Sequence, residues 1–227
     1  MLTMAFECSA IAASVAVFSD DMLLGQAYSN VKLTHSQTLM PMAENLLLSL
    51  RLSFKDIERY AISHGPGSFT GVRIGIAAVK GLAAAGNIPC VGVSTLEAMA
   101  HQIPTDGVIC CLMDARCGQV YNALFERKNG VITRLSDDRA VLMEEVAADL
   151  PEGKTVTLVG DGAALFLKQQ NPENAVLAPA HLVYQSAVGV GLAAKDKTGI
   201  NAEALLPFYL RLPQAERELK KRKEEIK

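Results

Sequence analysis

Short apolar runs alternate along this chain with longer segments in which apolar residues recur every third or fourth position. Residues 1–6, 13–18 and 22–29 read as three strands, with Ser19-Asp20-Asp21 as the turn between the second and third. Leu39, Met42, Ala43, Leu46, Leu47 and Leu50 then fall on one helical face. This predicts a helix over 38–50, capped by Thr38, because Pro41 is tolerated only in a first turn. A strand at 59–63, a helix at 69–85, a strand at 90–93 and a helix at 95–101 complete the first half.

The second half repeats that order. Residues 108–113, 119–126 and 131–135 read as strands, 143–150 as a helix, 155–159 as a strand, 163–169 as a helix, 175–177 as a strand and 183–194 as a helix. The repeat is one of element order; residue identity between the halves is not evident. Two βββαβαβα units in tandem predict an α/β fold of two ribonuclease-H-like domains, the layout of the actin-like, sugar-kinase and Hsp70 superfamily. The Pro- and Gly-containing stretch at 102–107 marks the joint. The expected division is 1–102, carrying the partner-binding helices, then 103–212, then a charged tail at 213–227.

The junction of the fourth strand and second helix has the most unusual pattern. Residues 63–75 read S-H-G-P-G-S-F-T-G-V-R-I-G, a strand, a glycine turn and a helix start capped by Ser68. Such a turn presents free N–H groups and the positive end of a helix dipole. It is neither a P-loop, since Val72-Arg73 replaces Lys-Ser/Thr, nor a dinucleotide fingerprint, since the third glycine is one position late. Two readings remain open, an anion at the helix start or a turn that packs closely against its neighbours.

The string Gly-Pro-Gly-Ser-Phe-Thr-Gly-Val-Arg-Ile-Gly at 65–75 resembles the signature of the bacterial TsaB family, also called YeaZ. Agreement continues through His35-Ser36 with Leu39-Met40-Pro41, and through Gly92-Val93-Ser94-Thr95-Leu96. It extends over Met113-Asp114-Ala115-Arg116 with Gln119-Val120-Tyr121, and ends at Pro207-Phe208-Tyr209-Leu210-Arg211. The resemblance implies an accessory subunit of the complex that transfers a threonylcarbamoyl group to the adenosine 3′ to the anticodon, in tRNAs reading A-starting codons. The implied partners are TsaD, which carries the metal and the chemistry, the ATPase TsaE, and tRNA through the complex; an isolated chain would form a homodimer.

Composition narrows the setting. The chain has 227 residues, half of them apolar, and a formal net charge of −2. That balance argues against nucleic-acid binding through the whole surface. Five cysteines without a C-x-x-C pair fit neither a disulfide framework nor a zinc site, and point to a reducing cytoplasm. No basic residue precedes Lys32, which argues against a secretory signal, and no run is long and apolar enough for a membrane span. Residues 211–227 carry seven basic and four acidic side chains, an exposed helix that is either a solvated tail or a nucleic-acid contact.

Catalytic chemistry is missing where the superfamily would keep it. The first hairpin has Glu7 where an Asp is usual and no glycine until Gly25, so phosphate should bind there weakly. In the second hairpin, Asp114 could hold a metal-bound water, or fix the turn together with Arg116. Gly160-Asp161-Gly162 stands where an adenosine loop would be, although a strand-to-helix loop needs such residues anyway. Glu7, Asp114, Gly160 and Asp161 thus outline a vestigial nucleotide cleft. The four histidines form no H-x-x-x-H pair, and no G-x-S-x-G occurs. The expectation is a protein with no cofactor, no metal and no activity of its own. The alternatives are an ATP-dependent kinase-like enzyme and a metallopeptidase-like protein.

What remains is surface. The helix at 69–85 has only two charges, Arg73 and Lys80, seven residues apart, and is otherwise apolar or small. The helix at 38–50 has surplus apolar residues too. Two adjacent helices with surplus apolar surface suggest a partner, and the family resemblance puts the dimer and TsaD contacts on the same pair. Leu39, Met42, Leu46, Ile74, Ile76 and Val79 are the expected apolar centre, with Gly71, Gly75 and Ala78 at the closest approach.

Overall fold

The computed structural model describes residues 1–211; the charged tail at 213–227 lies outside the described residues. Strands β1 (Leu2–Glu7), β2 (Ala13–Ser19), β3 (Met22–Ser29), β4 (Arg59–Gly65) and β5 (Cys90–Ser94) form one sheet in the order β3-β2-β1-β4-β5. The first three are antiparallel neighbours, while β1-β4 and β4-β5 are parallel. Strands β6 (Gly107–Arg116), β7 (Gln119–Lys128), β8 (Val131–Arg134), β10 (Val156–Val159) and β11 (Ala175–Leu177) repeat this arrangement as β8-β7-β6-β10-β11. An additional short strand, β9 (Arg139–Leu142), pairs with β7; the pattern along the chain did not reveal it. The tandem ribonuclease-H-like architecture is thus present in both halves.

Helices cover both faces of both sheets, which is why β1, β2, β4 and β6 are apolar nearly throughout instead of alternating. Helices α1 (His35–Ser49) and α2 (Phe69–Ala84) lie on the outer face of the first sheet, over Met4, Phe6, Val15, Val17 and Ile62. Helices α4 (Met143–Ala148) and α5 (Ala163–Gln170) lie on the outer face of the second. The inner layer is exchanged. Helix α6 (Ala187–Ala194), late in the chain, covers Ala5, Ala16, Phe18 and Ala61 of the first sheet. Helix α3 (Thr95–His101) sits between the sheets, with Ala98 toward the first and Leu96 and Met99 toward the second. Small residues make this possible: an added Cβ at Gly189 of α6 would stand 2.2 Å from the Ala98 carbonyl oxygen.

Two helix starts differ from expectation. Helix α1 begins at His35 after Thr34, so Thr38 is internal and its hydroxyl donates back to the Thr34 carbonyl at 3.3 Å. Pro41 therefore lies inside the helix. It is tolerated because it and Gln37, whose carbonyl loses its donor, are both exposed, so water can take that place. Helix α6 begins at Ala187, where Ser186 accepts from the Val188 N–H.

Candidate functional site

The contact residues expected on α1 and α2 divide sharply. Leu39, Leu46, Ile76 and Val79 are buried in the first sheet's own core, and Gly71 and Gly75 are buried with them. A Cβ at Gly71 would stand 2.1 Å from the Cys8 carbonyl oxygen, and one at Gly75 would stand 2.5 Å from Cys8 Sγ. These two glycines let α2 approach β1, not a second subunit. Met42, Ile74 and Ala78 are half-buried at the margin. The outward face consists instead of Thr70, Arg73, Ala77, Gly81 and Ala84 on α2, with Pro41, Glu44, Asn45 and Leu48 on α1. Leu48 is 71% exposed, and a Cβ at Gly81 would meet nothing within 4 Å. Helical periodicity found the apolar stripe but could not tell which of its residues face inward to the sheet, and burial places Leu39, Leu46, Ile76 and Val79 there.

The two charges of α2 have a specific use. Lys80 Nζ donates to the carbonyls of Glu203 (3.1 Å) and Leu205 (3.3 Å), and Arg73 Nε donates to Tyr209 Oη at 2.8 Å. Arg73 also lies 3.7 Å over the Phe69 ring, which stacks on Tyr209 at 4.7 Å. They hold an extended strap that follows the short turn at Ala202–Ala204. The strap passes over the glycine turn, where the Phe208 N–H donates to the His64 carbonyl at 2.8 Å. Gly65, at φ 122°, leaves room for it, since a Cβ there would stand 2.2 Å from the Phe208 oxygen. At its far end Arg211 Nη1 donates to the Ala115 carbonyl in the second half at 2.7 Å. The 207–211 motif carries part of the family resemblance but no structural role in the sequence; no local signal could have shown a contact between residues so far apart.

Beneath the strap a cleft of about 460 Å³ opens between the two halves. Ser9, Ala10 and Ile11 from the first hairpin line it, with Pro66 to Thr70 at the start of α2, Met113 to Arg116, Tyr121, Asp161, and the strap from Phe208 to Arg211. Of the four residues expected here, Asp114 and Asp161 are in the wall. The Asp114 carboxylate accepts from the Arg116 N–H at 2.7 Å, the turn-fixing role. Asp161 accepts from Gln185 Nε2 at 3.1 Å, and burial raises its carboxyl above the ordinary value. Glu7 and Gly160 do not line the cleft. Gly160, at φ 111°, is a packing position where a Cβ would stand 2.0 Å from the Leu112 oxygen. Glu7 is fully buried; its carboxylate accepts from the Ser9 N–H at 2.6 Å while its second oxygen has no partner. Loss of solvent raises its carboxyl, partly offset by the nearby Ser9 and Ser63 hydroxyls.

Ser68 caps α2 as expected, accepting from the Gly71 N–H at 3.3 Å. His35, the first residue of α1, places Nε2 at 2.7 Å from the Ala10 carbonyl, so it ties that helix to the first hairpin. Among the described residues, no group of three or more His, Cys, Asp and Glu side chains could hold a metal ion. No helix among them is long and apolar enough to cross a membrane.

Two ribonuclease-H-like units with a cleft between them define the actin-like class that includes the sugar kinases and Hsp70. The family model described as TsaD: tRNA N6-adenosine threonylcarbamoyltransferase matches residues 29–216. Two curated relatives carry the name tRNA threonylcarbamoyladenosine biosynthesis protein TsaB. That of Bacillus subtilis is 30% identical, over 95% of this chain and 96% of its own; that of Escherichia coli is 32% identical, over 93% and 95%. The solved structure of YeaZ from Pseudomonas aeruginosa superposes with a TM-score of 0.80 at 28% identity, covering 92% of this chain and 99% of that one. The chain belongs to the TsaB (YeaZ) family.

Proposed function

We propose that this protein is an accessory subunit in the making of tRNA threonylcarbamoyladenosine, with no catalytic step of its own. It docks through the outward face of α1 and α2 onto a TsaD-type catalytic subunit, and in isolation two copies pair through the same face. TsaE and tRNA are reached through that complex. The names of the relatives support the process. The docking face rests on one observation: the outer side of α2 is Ala77, Gly81 and Ala84, with Arg73 its only exposed charge, beside Leu48 of α1. A helix facing water permanently gains nothing from such a surface, whereas a second helix can approach it closely. The absence of own chemistry is supported by Glu7, which is sealed from the cleft, and by the missing metal histidine pair.

The test is Gly81→Arg and Leu48→Glu. Both positions face outward, so each variant should fold with an unchanged circular dichroism spectrum. Each should lose at least about tenfold in association with a co-expressed TsaD partner, because a charge would be buried unpaired when the subunits meet. Folded variants that dimerise and bind that partner normally would exclude this face. Turnover of ATP or threonylcarbamoyl-adenylate by the purified chain alone would exclude the non-catalytic role.

A further inference from the structure

Strand β5 is an edge of the first sheet, and its backbone groups alternate between its two sides. The Tyr60 N–H of β4 donates to the Pro89 carbonyl, so Val91 and Val93 also turn their N–H and C=O groups toward β4. Cys90 and Gly92 turn theirs outward. Cys90 uses both, exchanging two bonds of 2.8 Å with Ile200 in an antiparallel bridge. The register this starts puts Thr198 opposite Gly92, but the pairing stops after the one bridge. Gly92 is left with an N–H and a C=O that have no partner among the described residues. A cavity of about 390 Å³ opens at that point, with Val91, Gly92, Thr198, Ile200, Leu206 and Phe208 in its lining.

The strap fixes the other wall. His64 Nδ1 lies 3.2 Å from the Leu206 carbonyl, the Phe208 N–H donates to the His64 carbonyl, and Lys80 donates to that of Leu205. Glycine at 92 makes this approach possible, since a Cβ there would stand 2.9 Å from His64 Nδ1. The lining offers nothing to a charged ligand. Its one lysine, Lys197, is already paired with Glu97 at 3.0 Å, and burial lowers the pKa of the His64 ring and so favours its neutral form. The rim is apolar: Leu206 is 64% exposed, and Ile200 and Phe208 are exposed beside it.

We infer that this cavity docks an extended, uncharged, apolar peptide segment of a partner protein, added antiparallel to β5 with one residue opposite Gly92. A peptide residue supplies both the acceptor and the donor that Gly92 lacks, as Ile200 does for Cys90 two positions earlier on the same edge. The side chain of that residue falls on the face where a Cβ at Gly92 would stand 3.2 Å from Leu205 Cδ1, beside Leu206, which is why an apolar one fits. A neutral lining selects a neutral occupant, because a charge would lose its water without gaining a partner. The edge and the strap are both held in place beforehand, so little ordering is needed on binding. The site is separate from the outward face of α1 and α2, and does not rest on it.

The probe is the acetylated and amidated peptide Thr-Val-Leu-Val-Thr, added to the isotopically labelled full chain. The expected result is a saturable shift of the Gly92 and Leu206 amide resonances, with slower exchange of the Gly92 amide with solvent. N-methylation of the central leucine removes the donor for the Gly92 carbonyl and should weaken binding at least about tenfold. Leu206→Asp alters an exposed side chain, so it should melt as the parent does, and should weaken binding by a similar factor. The methylated peptide keeps the test decisive whatever that variant does to the fold. Equal binding of the methylated peptide, or no saturable shift at Gly92, would overturn the site. A Gly92 amide already protected in the free chain would overturn it too: Thr198 would then close the edge, or a second copy if the protection grows with protein concentration.

Discussion

The two outer helix pairs occupy equivalent places on sheets of the same strand order, yet present different surfaces. On α4 and α5 the outward positions include Glu144, Glu145, Lys168 and Gln169, as expected of helices facing water. On α2 they are Thr70, Arg73, Ala77, Gly81 and Ala84, with a single charge among five, and on α1 Leu48 stands beside Glu44 and Asn45. Lengths differ too: α1 and α2 have 15 and 16 residues, α4 and α5 only 6 and 8. The inner faces of both pairs are apolar because each must cover a sheet, so they say nothing about partners. The outer face carries the information, and the second half serves as an internal reference for an outer pair with a charged surface.

The sharpest way to break the comparison is to separate the halves. A fragment of residues 1–102 lacks α6, which covers Ala5, Ala16, Phe18 and Ala61. It should fail to give a cooperative melt, and adding a peptide spanning residues 183–200 should restore one. A fragment that melts cooperatively alone would show that each half is a self-sufficient folding unit.

Next in size is the contrast between the two sides of α2. Gly71→Ala forces a methyl group onto the Cys8 carbonyl and should cost roughly 2–4 kcal/mol. Gly81→Ala, in open space on the same helix, should stabilise by about 0.5–1 kcal/mol through helix propensity. Denaturant titration distinguishes them; equal effects would mean that α2 is rotated relative to the sheet.

The strap supplies a smaller effect. Tyr209→Ala removes the ring stacked on Phe69 and the acceptor for Arg73, and should cost about 1–2 kcal/mol. An unchanged melting temperature would show that the strap is not held by that stack.

The smallest effect depends on pH. Burial holds the Glu7 carboxyl above its ordinary value of 4.5, so the folded chain keeps a proton that the unfolded chain releases. Its contribution to stability is full below 4.5 and is lost as pH rises toward the folded value. Glu7→Gln retains an acceptor for the Ser9 N–H and removes the titration. The melting temperature of the variant relative to the parent should therefore increase as pH rises from 4.5 into the neutral range. His64 and His101, both lowered by burial, push the other way in both proteins and cancel in the difference. A difference that does not vary with pH would show that Glu7 does not titrate there.

The order of elements was legible in the chain because apolar period and length are local properties. Continuous apolar runs marked strands buried on both faces, the recurrence from Leu39 to Leu50 marked α1, and Ser68 marked the start of α2. Ends were less legible: α1 begins before the Pro41 that suggested its first turn. The cleft was half legible, with Asp114 and Asp161 in its wall and Glu7 and Gly160 turned to packing. Only the tertiary structure decided which neighbour each face meets. A helical period sets the phase of a stripe but not the surface opposite it, so Gly71 and Gly75 could not be assigned to β1 before β1 was placed. The same holds for α6 on the first sheet and for Arg211 on Ala115, 96 residues away. Such contacts depend on how the two halves close on each other, and no short stretch of sequence records that.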